Sequence, residues 1–167
     1  MSKKDTGLPA EIKAKFKSDV RVQKEQRIWI SIESNKLIEM CKWFKERGFL
    51  HLSAISVTDW LEKGVYELTY HIWSYDEKIL ITIKTIVNRN KPVIKSVAPI
   101  WYESAQIHER ELHELFGVKF EGNLDLSPLF LENWEGPDPF RKDFNWREYV
   151  RNKFYDKENE REAVYYD

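Results

Sequence analysis

The sequence predicts an α+β fold, in which a small, mostly antiparallel sheet is packed by helices and followed by an extended C-terminal arm. Three kinds of segment indicate it: β-branched runs that alternate at period two, amphipathic stretches at helical spacing, and an aromatic, proline-containing tail without a period. We expect a basic segment with a short helix over residues 1–19, an α+β domain over 20–122 and the arm over 123–167. At 167 residues the chain can form one domain with its own core.

The composition narrows the classes of function. Charged residues make up 33% of the chain but the net charge is only −1, so no overall field favours nucleic acid or an anionic membrane. Apolar runs are too short for a transmembrane helix, and the N-terminus resembles no secretory signal, so we expect any membrane association to be indirect. The single cysteine, Cys41, excludes an internal disulfide and is predicted to pack in the core. Abundant Lys, Glu and Arg with few Gln, Met and Cys are typical of thermophilic proteins.

The first half of the chain gives the clearest structural signals. A short helix is expected to begin at Pro9, because proline at the first helical position loses no hydrogen bond. Alternation predicts a strand over Ile28–Ile32, and an apolar stripe predicts a helix that Ser34 caps and Gly48 ends. Three β-rich segments follow, the last two joined as a hairpin: Phe49–Val57, Val65–Trp73 and Ile79–Val87.

The second half is less regular. Ser96 is expected to cap a short helix through Ile100, and a longer helix is predicted from Glu103 to Phe116, ending at Gly117. Beyond Gly122, prolines and glycine prevent long helices, and only the final stretch is predicted to begin as a helix. Disordered segments are poor in aromatic residues, and this segment has many. We therefore expect an ordered arm that wraps a partner, and not a disordered tail.

Histidines and glutamates on the longer helix are the candidates for chemistry. His108 and His113 are five residues apart, so they lie about 140° apart around a helix, which argues against a zinc site of the metalloprotease type. Glu111 and Glu114 share a face, as an acid–base pair would, but no nucleophile or oxyanion donor accompanies them. Glu114 is also spaced for an ion pair with Arg110. We interpret the helix as solvated or partner-facing, and a stand-alone enzyme using the two glutamates stays open as an alternative.

Nucleic-acid binding is a further alternative. Seven tryptophans and a lysine-rich stretch around Lys13, Lys15 and Lys17 are compatible with an RNA-binding module. The sequence contains neither a glycine-rich nucleotide-binding motif nor an RNA-binding consensus, so we expect no nucleic-acid partner.

A set of residues in the second half resembles the signature of one family. The string ERExxELFG, with FEG after it, is long enough to be specific. The residues that carry the resemblance are Ser96, Trp101, Glu109, Arg110, Glu111, Glu114, Phe116, Gly117, Phe120, Gly122, Trp134, Glu135, Gly136, Arg141, Lys142, Asp143 and Phe144. They are similar to the thirty-kilodalton-type subunit of respiratory complex I, a family shared with energy-converting, membrane-bound NiFe hydrogenases. The likeness covers residues 20–146.

The resemblance implies a subunit without catalytic residues, metal or cofactor of its own. Its implied partners are a NiFe-hydrogenase-like large subunit and iron–sulfur subunits, in a complex that carries iron–sulfur clusters and, in a hydrogenase, a NiFe centre. The implied location is peripheral, at the cytoplasmic face of the cell membrane. The residues implied to contact partners are Glu109, Arg110, Glu111, Glu114, Phe116, Gly117, Phe120, Trp134, Arg141, Lys142, Asp143 and Phe144.

One departure from the family pattern bears on the type of complex. Quinone-linked members usually read GHPDLR where this chain reads GNLDLS, over residues 122–127. The missing His, Pro and Arg favour a ferredoxin-linked, ion-translocating complex of the NiFe hydrogenase type. The equivalent subunit of complex I, or of a related sulfur-reducing complex, is the alternative.

Overall fold

The structure is a computed structural model that describes residues 7–155. The strands within that range are β1 (Asp19–Lys24), β2 (Arg27–Ser31), β3 (His51–Trp60), β4 (Val65–Ser74), β5 (Ile79–Asn88), β6 (Val93–Lys95) and β7 (Lys119–Glu121). The α-helices are α1 (Leu8–Phe16), α2 (Leu37–Glu46), α3 (Tyr102–Phe116) and α4 (Trp146–Phe154).

The first five strands form one sheet in the order β1-β2-β5-β4-β3, and β6 pairs with β7 in a separate parallel pair. Every neighbouring pair in the large sheet is antiparallel except β2 and β5. The predicted α+β architecture with a mostly antiparallel sheet is therefore confirmed.

The two faces of the large sheet differ in burial because strand residues alternate between them. On one face, Tyr70, Ile72, Ile81 and Ile83 are fully buried and share a single core with apolar residues of α1, α2 and α3. The opposite face carries side chains that are half-buried or polar, such as Trp29, His71 and Lys84. The helices thus pack on one side of the sheet only, and the candidate site lies on that side.

Most predicted elements are present, with shifted ends. Helix α1 begins beside Pro9, Cys41 is buried in α2, and Gly48 adopts the left-handed conformation that ends that helix. Burial in the core raises the pKa of the Cys41 thiol. The strand predicted to end at Val57 continues to Trp60.

Two local predictions were wrong. Ser34 does not cap α2, because it already lies within a one-turn 3₁₀ helix that precedes α2, and the position before that turn is Glu33. The short helix predicted after Ser96 is only a turn over residues 97–100; the Ser96 hydroxyl does accept from the Ala98 N–H at its start, and it donates to the side chain of Glu109 on α3. The strands β1, β6 and β7 were not predicted; β6 and β7 have three residues each, too few to show a period.

The C-terminal arm is described over residues 123–155, and it ends in α4, in agreement with the predicted helical start of the last stretch. Between its beginning and α4 it forms only turns and bends. In the part of the chain from residue 7 to residue 155, no helix is both long and apolar enough to cross a bilayer. The predictions for residues 1–6 and 156–167 lie outside the described residues.

Candidate functional site

Helix α3 lies between the core and the C-terminal arm. It begins after the turn that follows β6 and is capped at its C-terminus by Gly117. The left-handed φ of 71° at Gly117 allows its N–H to donate to the His113 carbonyl oxygen. The inward face is formed by residues that are buried at helical spacing: Ala105, Glu109, Leu112 and Leu115. Arg110 and Glu114 project on the other side, towards the arm.

Glu109 is a fully buried carboxylate on the inward face. Its two oxygens accept hydrogen bonds from the Ser96 hydroxyl at 2.6 Å, the Val97 N–H at 2.7 Å and the Asn123 side-chain amide at 2.8 Å. Burial raises the pKa of Glu109, while these donors act in the opposite direction. The side chain therefore joins three segments of its own chain: α3, the turn after β6 and the loop after β7.

Glu114 and Arg110 hold the first part of the arm through its backbone. The Glu114 carboxylate accepts from the N–H groups of Leu129, Phe130 and Leu131, at 3.2, 2.9 and 2.6 Å. One turn earlier, the Arg110 guanidinium donates to the carbonyl oxygens of residues 127 and 128, at 3.1 and 3.0 Å. The two charged groups thus bind the arm instead of forming the predicted ion pair with each other.

A buried arginine holds the later part of the arm at the end of the sheet. Arg89, which follows β5 and is 4% exposed, makes paired hydrogen bonds to Asp59 on β3 (2.7 and 2.9 Å) and to Asp143 of the arm (2.7 and 2.9 Å). Asp59 also accepts from the Lys142 N–H at 3.0 Å, and Arg141 donates to Asp143 at 3.1 Å. Charge-assisted, bidentate pairs of this kind are the strongest hydrogen bonds in proteins.

The ionisation of this arginine cluster follows from its contacts. Hydrogen bonds from Arg89 hold the pKa of Asp59 below its usual value, and those from Arg89 and Arg141 hold the pKa of Asp143 well below it. The carboxylates raise the pKa of Arg89 in return. Both acids are therefore charged throughout the physiological pH range, and the ion pairs that hold the arm persist over that range.

Close packing joins the C-terminus of α3 to the middle of the arm. The Phe140 N–H donates to the Leu115 carbonyl oxygen at 3.0 Å, and the Phe116 ring lies edge-on between the rings of Tyr66 and Phe140. A side chain at Gly117 would collide with the carboxylate of Asp138. Gly117 is thus required both by its backbone conformation and by the approach of the arm.

Aromatic residues connect the arm to α4. The rings of Trp134, Phe144 and Tyr149 are mutual neighbours, with centroids 5.1 to 6.2 Å apart. The Trp134 indole N–H donates to the Pro137 carbonyl oxygen, and its ring covers Gly136 so closely that a Cβ there would overlap it. This cluster gives the arm a small packing unit of its own.

The twelve residues implied as partner contacts therefore fall into groups. Glu109 and Phe120 are buried within the chain and present no surface to another molecule. Arg110, Glu114 and Asp143 are engaged in holding the arm. A partner role for the others stays a prediction. The exposed large apolar side chains of the described arm are Leu124, Phe130, Phe140, Trp146, Phe154 and Tyr155.

Sequence reasoning did not single out Arg89 and Asp59, and it predicted Asp143 as a partner contact. Arg89 lies 30 residues from Asp59 and 54 from Asp143, so no local spacing connects them. The geometry does not support the alternative of an enzyme that uses Glu111 and Glu114, because three backbone N–H groups already bind the Glu114 carboxylate.

Comparison with known proteins points to one family. A family profile described as the 30 Kd subunit of the respiratory-chain NADH dehydrogenase matches residues 30–150. A subunit of the F(420)H(2) dehydrogenase of Methanosarcina mazei is 33% identical over 129 residues, which cover 76% of this chain and 81% of that protein. A subunit of the NADH-quinone oxidoreductase of Rhizobium meliloti is 31% identical over 125 residues, covering 71% of this chain and 66% of that protein.

Solved structures share the fold. A chain of the membrane-bound sulfane sulfur reductase, an archaeal respiratory membrane complex, matches with a TM-score of 0.78 and 27% identity over 88% of both chains. The trypsin-resistant fragment of Nqo5 matches with a TM-score of 0.62 and 24% identity, over 71% of this chain and 96% of the fragment.

Proposed function

This chain belongs to the family of the 30 kDa subunit of the respiratory-chain NADH dehydrogenase, and we propose that it is a non-catalytic structural subunit of a membrane-bound, ion-translocating oxidoreductase. In that role it docks on the large catalytic subunit and on neighbouring iron–sulfur subunits. It lies peripherally at the cytoplasmic face of the membrane, and the electron-transfer centres belong to the other subunits.

The observation that supports this role is the orientation of the C-terminal arm. Its backbone is held inward by Arg110 and Glu114, and Arg89 holds the side chain of Asp143, while several of its large apolar side chains are exposed. Phe130, for example, is 64% exposed although its N–H is bound to α3. Burying such a side chain stabilises a complex by about 1.5–3 kcal/mol before ordering costs. Because the backbone of such an arm is already ordered, less conformational entropy is lost when a partner binds.

The type of complex is proposed from the sequence. The GNLDLS segment lacks the His, Pro and Arg of quinone-linked members, which favours a ferredoxin-linked complex of the NiFe hydrogenase type. A sulfur-reducing complex is the second candidate, because the fold matches a chain of the archaeal sulfane sulfur reductase over most of both chains.

Co-purification tests both the structural-subunit role and the proposed type of complex. The tagged full-length chain, expressed in its native host and extracted in mild detergent, is expected to recover a large subunit and iron–sulfur subunits. Nickel together with iron in the recovered assembly supports the hydrogenase type, and iron without nickel supports the alternatives, a sulfur-reducing complex or complex I. A chain that purifies alone from membranes overturns the structural-subunit role.

A matched pair of variants tests the orientation of the arm. Phe130→Ala is expected to weaken recovery of the large subunit about tenfold, since about 1.4 kcal/mol of contact energy corresponds to that factor. Tyr75→Ala is the control: this ring is 68% exposed, on the β4–β5 turn at the end of the sheet opposite to Arg89. Equal recovery with both variants would contradict an interface on the arm.

A further inference from the structure

The loop of residues 122–128, here called the Leu124 loop, presents one leucine to solvent. We propose that Leu124 is a docking anchor that inserts into an apolar pocket with a basic rim on a partner subunit of the complex. The inference rests on the proposed function, and it adds a contact residue that lies outside the residues implied by the family resemblance.

Leu124 contributes nothing to the packing of its own chain. It is 96% exposed, the highest value among the exposed large apolar residues of the described chain, whereas Leu126, two residues later, packs against the core. A leucine at this exposure keeps nearly its full apolar surface in water. Single exposed apolar residues are common on protein surfaces, so the rigid hold on the loop and the charge around it are what distinguish this one.

Hydrogen bonds fix the loop on both sides of the leucine. Before it, the Asn123 amide donates to the buried Glu109 carboxylate, and the Asn123 carbonyl oxygen Oδ1 accepts from the Asp125 N–H at 3.1 Å. After it, Asp125 accepts from the Ser127 N–H at 2.9 Å and from the Ser127 hydroxyl at 2.6 Å.

Helix α3 adds two further contacts to the same loop. The Gln106 side chain donates to the Asp125 carbonyl oxygen at 3.3 Å, and Arg110 donates to the Ser127 carbonyl oxygen. The residues on either side of Leu124 are therefore hydrogen-bonded to α3. These bonds fix the position of the leucine without contacts to neighbouring apolar groups. Preorganisation of this kind lowers the entropic cost of association.

The charge of the surroundings indicates the chemistry of the partner. Residues 102–127 contain six acidic side chains and two basic ones; Glu109 is buried and Glu114 binds the arm backbone, so four acidic side chains remain for the surface. Glu103, Glu121 and Asp125 have exposed side chains around the helix and the loop. A basic rim on the partner complements this acidic surface, and opposite charges increase the rate and specificity of association.

Exposed apolar side chains of α3 flank its contact with the loop. Tyr102 and Ile107 are more than half exposed and lie about 140° apart around the helix, on either side of Gln106, which contacts the loop. Phe130 continues the surface along the arm, next to the outer side of Glu114. The proposed interface thus runs from the start of α3, across the Leu124 loop, to the first part of the arm.

Three variants of the tagged full-length chain test the anchor in the native host. Leu124→Ser is expected to reduce recovery of the large subunit at least tenfold, with an unchanged melting temperature of the purified chain, because the side chain has no internal contacts. Leu124→Met restores an apolar side chain and is expected to retain recovery. Ile86→Ser is the control, since Ile86 is 58% exposed on the sheet face opposite to α3.

A photo-crosslinking residue placed at position 124 identifies what the leucine contacts. We expect attachment to a single partner subunit, at a segment that contains apolar residues and Lys or Arg. Wild-type recovery of the complex by Leu124→Ser, or crosslinks only to a second copy of this chain, would overturn the anchor while leaving the structural-subunit role intact. Failure of the unmodified chain to recover any partner would instead count against the proposed function.

Discussion

The sheet domain and the C-terminal arm are held together by different forces. In the domain, apolar side chains from α1, α2, α3 and the large sheet form one continuous core. In the arm, none of the described residues 123–155 is buried, and the contacts with the domain are mostly hydrogen bonds and ion pairs.

This difference has a physical consequence for the role of the arm. The domain is stabilised mainly by burial of apolar surface, which does not itself depend on charge, whereas the arm is held mainly by a few charged groups. The arm can therefore be weakened at single positions while the domain stays folded. Its own apolar surface remains available for a partner, which an arm packed by hydrophobic burial would not offer.

The largest expected effect comes from the buried arginine. Arg89→Ala leaves Asp59, which is 3% exposed, as a buried charge without its partner and releases Asp143. We expect a loss of about 3 kcal/mol in the free energy of unfolding, measured by urea denaturation, because breaking one partner of a buried pair costs about 3–5 kcal/mol. Lys153→Ala is the control: it removes the exposed ion pair with Glu135 and should change the free energy of unfolding little. Equal effects would show that the cluster does not anchor the arm.

A smaller and more local effect is expected at Glu114. Glu114→Gln replaces a charged acceptor of three backbone N–H groups by one neutral oxygen and a donor. Hydrogen bonds to charged groups contribute about 1.5–3 kcal/mol, so the amides of residues 129–131 should lose protection by about 2 kcal/mol in hydrogen exchange. The sheet amides should keep theirs. Glu111→Gln is the control on the same helix. Similar changes in both variants would show that Glu114 does not hold the backbone of residues 129–131.

Asp143 of the arm and Glu109 of the domain are expected to contribute to the pH dependence of stability with opposite signs. The pKa of Asp143 is lowered, so its contribution is complete above the ordinary aspartate pKa and is lost only as the pH falls towards the lowered value. The pKa of Glu109 is raised, so its contribution is complete below the ordinary glutamate pKa and falls as the pH rises through the raised value. Asp143→Asn should remove the acid-side loss of arm protection, and Glu109→Gln should flatten the pH dependence of the domain. Parallel pH profiles in all variants would contradict these assignments.

The sequence alone predicted the elements whose signals are local. The period-two alternation of β4 and β5, the proline at the start of α1, and the glycines that end α2 and α3 each act within a few residues, so their structures follow from propensity and periodicity. The signature around α3 also identified the family, which the comparisons confirm.

The roles of the residues at the candidate site could be assigned only from the tertiary structure. Charged residues on α3 looked alike in the sequence, yet Glu109 faces the core, Glu114 binds the arm backbone, and Glu111 does neither. The lock between Arg89 and Asp143 depends on chain segments 54 residues apart. Local sequence determines where a helix or strand forms because its backbone hydrogen bonds and side-chain periods are short-range. Which carboxylate is buried, paired or left to a partner is decided by desolvation and by distant donors, and those exist only once the chain has folded.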